Sequence, residues 1–252
     1  MAISKNQIKY VKSLQQKKFR QMYGNFVAEG DKLAKEILTH SKIKIEGVFA
    51  SSTWLGNNSI LFSNLATDVF EVSEKELGRI SGLKTPNQVL IIAKQLEHSI
   101  DWEIVNNGLS IYLDGIQNPG NIGTIIRIAD WFGIPYIFCS ENAGELYNPK
   151  VIQSSMGAFL RVNYVSHEFE DLQNRLDNIP IYGAVMNGED VFKMKLSENG
   201  LIVIGNEGQG ISSKILEKIN NQVSIYPHSL NGSESLNASV ATGIICAAFR
   251  NQ

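Results

Sequence analysis

Asp114-Gly115-Ile116-Gln117-Asn118-Pro119-Gly120-Asn121-Ile122-Gly123 follows the apolar run Leu109 to Leu113. The run, with Ser110 its one polar residue, has the length of a buried strand, and the chain turns at Pro119-Gly120 beyond it. From residue 122 to about 132 apolar residues return at helical spacing, so the stretch reads as strand, turn, helix. The first amides of such a helix lack intrahelical partners, and its end can hold an anion or a ribose phosphate. Arg127 lies six residues after Asn121, about 1.7 turns on, which leaves it on a related but not identical face. Its fork of N–H donors suits a backbone phosphate. A structural ion pair is the plain alternative for one arginine in a helix.

Two further blocks stand at the ends of strand-like runs. Gly205-Asn206-Glu207-Gly208-Gln209-Gly210 follows Ile202-Val203-Ile204. Its glycines allow positive φ or close approach of a ligand to the main chain, and Glu207 sits inside the loop, either as a solvated turn acid or as part of a site. Ser235-Leu236-Asn237-Ala238-Ser239-Val240-Ala241 places Ser235 and Asn237 just before a helix of small residues. There an Asn is commonly an N-cap, while small residues permit tight approach of a neighbouring element. The chain has no G-x-G-x-x-G, no G-x-x-x-x-G-K-[ST] and no G-x-S-x-G, which removes the main sequence support for a nicotinamide oxidoreductase, a nucleotide triphosphatase or a serine hydrolase. His40, His98, His167 and His228 are scattered without zinc-ligand spacing, so no metal is assigned.

In order, separation and chemistry, the three blocks together resemble the signature motifs of the SpoU (TrmH-type) RNA ribose methyltransferases. Asn25-Phe26-Val27-Ala28-Glu29-Gly30 is similar to the substrate-binding domain that often precedes that catalytic domain in rRNA-modifying members. The resemblance implies an α/β fold: a SPOUT trefoil-knot methyltransferase domain after a small α/β RNA-binding domain. It implies S-adenosylmethionine held in the knot, largely by main chain, and a homodimer that completes each active site. By match to the family's motifs, Asn121, Arg127, Glu207, Ser235 and Asn237 take the active-site positions. Gly205, Ile225 and Leu236 match the cofactor-contacting backbone, with Asn206, Gly208, Gly210, Tyr226 and Pro227 in the same segments. Where the family has Ile-Pro, this chain reads Ile225-Tyr226-Pro227-His228 with a longer stretch before Ser235, so either Ile225 or Tyr226 takes that place. The implied reaction is methyl transfer to a ribose 2'-hydroxyl, in 23S-type rRNA by preference. A tRNA ribose methyltransferase and a noncatalytic RNA-binding assembly factor are the alternatives. Family proposals make the arginine a base, but arginine holds its proton to above about pH 12, which favours a phosphate anchor at Arg127.

The bulk properties fit this reading. The 252 residues, 43% hydrophobic, suffice for one large domain or two modest ones. Alternating short strands and helices over residues 1–95 make a first α/β unit, 96–107 reads as a linker, and 108–252 forms the catalytic domain. In that domain strands are expected at 109–113, 136–139, 159–164, 179–185, 201–204 and 223–226. Net charge is −2, but residues 1–44 hold ten Lys or Arg against three acids, a local +7 that leaves −9 on the other 208 residues. Such a segment is either an RNA-binding surface or a solvated lysine-rich helix face. No apolar run approaches a membrane span. Cys139 and Cys246 lie in apolar stretches, as buried free thiols of a cytoplasmic protein do.

Overall fold

The computed structural model describes residues 3–62, 65, 67–228 and 235–251. Helix α1 (Lys5–Ser13) opens with a capping box in which the Ser4 and Gln7 side chains each accept from the other's amide. Its buried Ile8 and Val11 stand one helical turn apart, on the face turned to the core. A second helix, α2 (Lys17–Tyr23), follows at once and ends at Gly24, whose φ of +61° makes the left-handed C-cap that favours glycine. The chain continues through β1 (Asn25–Glu29), α3 (Asp31–Thr39), β2 (Ile45–Ala50), α4 (Ser52–Asn57), β3 (Val69–Glu71), α5 (Glu74–Ile80) and β4 (Val89–Lys94). The strands form one sheet in the order β1-β4-β2-β3, with β4 antiparallel to β1 and β2 and with β3 parallel to β2. Val11, Leu14, Leu77 and Ile80 bury the helical stripes of α1 and α5 against Val27, Phe49, Leu90 and Ile92.

In this unit the polar residues of the Asn25–Gly30 stretch tie the fold together. Asn25 Nδ2 donates to the Tyr10 hydroxyl at 2.5 Å. The buried Glu29 carboxylate accepts from the Gly82 amide at 2.8 Å and the Ser81 hydroxyl at 2.5 Å, pinning the turn that follows α5. A buried carboxylate is tolerated because these donors replace its lost water.

Beyond residue 97 the elements are α6 (Trp102–Asn107), β5 (Leu109–Asp114), α7 (Pro119–Trp131), β6 (Tyr136–Cys139), α8 (Pro149–Ser155), β7 (Asn163–Ser166), α9 (Phe169–Gln173), β8 (Ile181–Asp190), β9 (Gly200–Gly205), α10 (Ser213–Leu216), β10 (Asn221–Ser224) and α11 (Ala238–Arg250). The chain resolves into two compact units, residues 1–97 with 147–160, and residues 98–146 with 161–252. Two differences from the sequence reading stand out. The expected linker carries α6, capped by Asp101 and buried at Val105. Residues 147–160 group with the first unit, where Tyr147 and Phe159 pack on Phe26 at ring-centroid distances of 4.9 and 5.6 Å.

The second unit is built on a six-stranded parallel sheet, order β10-β8-β9-β5-β6-β7. Tyr112, Phe138, Leu201 and Val203 on one face pack with residues of α6, α9 and α10. On the other, α11 packs along α7 and reaches β9. Burial on both faces explains why the central strands β5, β6 and β9 read as largely apolar runs. The expected strand 159–164 divides. Met156 and Gly157 take positive φ, Ala158–Leu160 makes a 3₁₀ turn, and only Asn163–Ser166 pairs with β6. β8 runs past its expected end to Asp190 through a register break opposite β10. Cys139 and Cys246 are buried and unpaired, and burial pushes their thiols up to about 11 and about 12.

From β5 the chain winds first to β6 and β7 and then back to the other side for β8, β9 and β10. Open parallel sheets bind ligands at the carboxyl ends of the strands that flank such a reversal. Here those ends are Asp114 and Gly205, paired directly across β5 and β9.

Candidate functional site

After Asp114, Gly115 turns the chain with φ +66°, in a place where a side chain would also meet Asn142. Asn118 then caps α7, its Oδ1 accepting from the Gly120 amide at 2.9 Å and the Asn121 amide at 3.4 Å. Pro119 occupies the first helical position, where its missing N–H costs nothing. The helix therefore starts three residues before the expected 122, and Asn121 falls in its first turn, only 7% exposed. The Asn121 carboxamide is used at both ends: Nδ2 donates to Glu207 Oε1, and Oδ1 accepts from Asn237 Nδ2 at 2.9 Å. Arg127 is exposed on α7 with no hydrogen bond or ion pair among the described residues, so the structural ion pair weighed from the sequence is not formed.

The glycine block is a closed loop. The Asn206 amide donates to the Gly210 carbonyl at 3.0 Å, and the Gly210 amide returns a bond to the Asn206 carbonyl at 2.8 Å. Asn206 Oδ1 takes the Gly208 and Gln209 amides at 2.9 and 3.2 Å, while Nδ2 donates to the Gly115 carbonyl at 2.8 Å. Asp114 Oδ2 accepts from the Ser212 amide at 2.7 Å, adding a second tie between the loops. At Gly205 a Cβ would lie 2.2 Å from both the Gly210 carbonyl carbon and the Ile211 nitrogen, so only glycine fits. Glu207 rides on this loop with Gly208, Gln209 and Gly210 exposed, and its side chain reaches Asn121. It is held, not a freely solvated turn acid.

Asn237 does both things that its sequence position allows. Its Oδ1 caps α11, accepting from Ser239 N at 3.0 Å, Ser239 Oγ at 2.6 Å and Val240 N at 3.3 Å, which leaves Nδ2 for Asn121. Ser235 is exposed and makes no hydrogen bond among the described residues, and Leu236 is half-exposed. The expected strand end at 226 is corrected to Ser224. Ile225 is half-buried, Tyr226 donates its hydroxyl to the Gly188 carbonyl at 3.1 Å, and Pro227 is exposed. The stretch 229–234 lies outside the described residues.

The structure thus joins Asn121, Glu207 and Asn237 directly and Gly205, Asn206, Gly208 and Gly210 in one loop. It does not bond Arg127 or Ser235 to them. Asn118, Asp114 and Ser212, which the sequence reading left unassigned, supply the ties. Asn before Pro-Gly is a cap signal that was present in the sequence. A separate cavity of about 250 Å³ lies at the carboxyl ends of β5 and β6, lined in part by Tyr112, Asp114, Ser140, Glu168 and Lys218. Asn121, Glu207 and Asn237 take no part in its lining.

Residues 108–247 match the SpoU rRNA Methylase family, and residues 5–91 match an MRM3-like substrate binding domain. RlmP of Bacillus subtilis, a 23S rRNA (guanosine(2553)-2'-O)-methyltransferase, is 27% identical over 98% of this chain and 97% of its own length. A Porphyromonas gingivalis structure assigned to the TrmH family of RNA methyltransferases is 32% identical, with a TM-score of 0.81 over 98% of each chain. The SpoU methyltransferase AviRb of Streptomyces viridochromogenes, solved with AdoMet, shares the fold at a TM-score of 0.83 over 98% of each chain, with 22% identity. With its three blocks brought to one end of a parallel sheet and more than half of its length matched by the family, the chain belongs to the SpoU rRNA methylases.

Proposed function

We propose that this protein transfers a methyl group from S-adenosylmethionine to a ribose 2'-hydroxyl in ribosomal RNA, acting in the cytoplasm. The observation that carries the proposal is the Asn237–Asn121–Glu207 chain of side chains at the carboxyl ends of β5 and β9, with the exposed Arg127 on the same helix as Asn121. The Bacillus subtilis relative is named for this chemistry on 23S rRNA. Bound cofactor supplies an electrophilic methyl on a sulfonium. The residues present fit it: the Gly205 position admits no side chain, and Gly208 to Gly210 offer exposed main chain in the loop that follows β9.

The chain's own contribution is orientation. Asn121, fixed at both ends of its amide, sets the wall against which the ribose is placed, and holding the hydroxyl in line supplies most of the acceleration. Arg127 anchors a neighbouring phosphate through its bidentate fork. We assign residues 1–95 to RNA binding and 108–252 to a methyltransferase domain of the trefoil-knot class, one of the rare exceptions to unknotted chains. A homodimer is supported by apolar residues left exposed in the catalytic unit: Trp131 at the end of α7, Val240 on α11, and Tyr226 and Leu236 between β10 and α11.

Incubation with methyl-labelled S-adenosylmethionine and ribosomal RNA, followed by digestion to nucleosides, tests the reaction. Label is expected on a ribose 2'-oxygen. Label on a base, or no transfer, overturns the assignment.

Gly205→Ala is expected to weaken cofactor binding by about tenfold or more, roughly 1.4 kcal/mol, because the new methyl displaces the Gly210–Ile211 backbone. Gly133→Ala is the control, since Gly133 has φ +64° but open space. It should cost about 1 kcal/mol of stability and leave affinity unchanged. Titration calorimetry on both variants reads the difference, and equal affinities would move the cofactor away from this loop.

Arg127→Lys separates anchor from base. Lysine keeps the charge, loses the fork and gives up its proton more readily, at about pH 10.4. An anchor predicts normal cofactor binding and a single-turnover rate lowered by a similar factor at every pH. A rate that instead rises through a lower apparent pKa than wild type would make Arg127 the base.

A further inference from the structure

Between Ile3 and Ala28 the sequence contains no Asp or Glu. Lys5, Lys9 and Lys12 of α1 and Lys17 and Lys18 of α2 are exposed. Arg20 does not join them. It is 3% exposed, and its guanidinium donates to the Leu14 carbonyl at 2.8 Å, fixing α2 behind α1. Among the lysines stands a group of rings. Phe19 and Tyr23 are stacked one helical turn apart at 6.3 Å and 14°, and Tyr10 meets Tyr23 edge-on at 5.1 Å and 80°. Tyr23 is 38% exposed and Met22 beside it 69%.

The group is held from behind and open in front. Asn25 Nδ2 fixes the Tyr10 hydroxyl at 2.5 Å, Lys94 Nζ donates to the Tyr23 carbonyl at 3.0 Å, and Gln95 Nε2 donates to the Arg20 carbonyl at 3.2 Å. Glu46, whose charge reaches Tyr10, is paired with Lys44 at 3.0 Å. Pre-ordered rings lose little entropy when they meet a ligand. The charge selects that ligand: two helices that carry five exposed lysines and no carboxylate of their own complement phosphate. The rings select its state, because bases inside an A-form duplex offer edges only, whereas an unpaired base offers a face.

We propose that Tyr23 and Phe19, flanked by the lysines of α1 and α2, form a stacking platform for an unpaired base of the RNA substrate. The inference rests on the reading of RNA as substrate and adds which feature of the RNA the first unit grips.

Full-length protein is titrated with an unstructured RNA oligonucleotide bearing 2-aminopurine, and with an RNA duplex, across a salt series. Tyr23→Leu keeps bulk and helix propensity without the ring. It should weaken binding of the oligonucleotide about 5- to 100-fold, the worth of one stacked base. Quenching of 2-aminopurine should be lost, with the salt slope and duplex binding unchanged and an unaltered circular dichroism spectrum. Tyr23→Trp should restore affinity and quenching, which a merely structural role would not predict. The Lys17→Gln, Lys18→Gln pair should lower the salt slope by about 1.4, at about 0.7 per phosphate on single strands. Wild-type affinity in Tyr23→Leu overturns the platform while leaving RNA binding intact. A change in sedimentation instead of RNA affinity assigns the rings to a protein interface and also overturns it. If the wild type neither binds RNA nor methylates it, the functional reading itself has failed.

Discussion

One carboxamide joins three parts of the catalytic unit that are far apart in sequence. Asn121 gives its N–H to Glu207, from the loop after β9, and takes one from Asn237, at the head of the last helix. For this to happen α7 has to begin at Pro119, which the Asn118 cap ensures, and β9 has to lie beside β5, which brings Gly205 level with Asp114. The Gly205–Gly210 loop has to fold back on itself so tightly that a single methyl group has no room. Partly buried hydrogen bonds of this kind contribute about 0.5 to 1.5 kcal/mol each, and more where one partner is charged. Their larger value here is positional. They fix polar groups at the mouth of a sheet whose winding reverses between β5 and β9.

The two units divide the work that recognition of a long polyanion requires. In the proposed function the second supplies the main chain of the Gly205–Gly210 loop and the fixed Asn121 amide, with Arg127 exposed further along α7. The first carries the positive charge and exposed rings on helices braced by hydrogen bonds from Asn25, Lys94 and Gln95. The net charge of the whole chain, slightly negative, conceals this separation.

Much of this is legible in the sequence for identifiable reasons. The strands of the parallel sheet are buried on both faces, so Leu109–Asp114 and Gly200–Gly205 stand out as apolar runs. At Ser4 and Ser73 both partners of the capping box lie within one turn, so local sequence alone sets where α1 and α5 begin. What was not legible depends on partners distant in the chain. α2 has no side-chain cap and α4 is only six residues long, so neither shows a helical period. The run from Phe159 resembles a strand, yet Phe159 packs on Phe26 and the chain turns at Gly157. In the site, the positions of Asn121, Glu207 and Asn237 came from family motifs. That one amide connects them follows only from the pairing of β5 with β9 and the packing of α11 on α7.

A double-mutant cycle on single-turnover methyl transfer to ribosomal RNA tests that connection most directly. Asn121→Ala, Glu207→Ala and the double variant are compared at saturating cofactor. If Asn121 and Glu207 act as one unit, the double variant is about as slow as the slower single variant, a coupling of roughly 1 kcal/mol or more. If the two rate losses simply multiply, the residues act independently and the shared-amide account of the site is wrong.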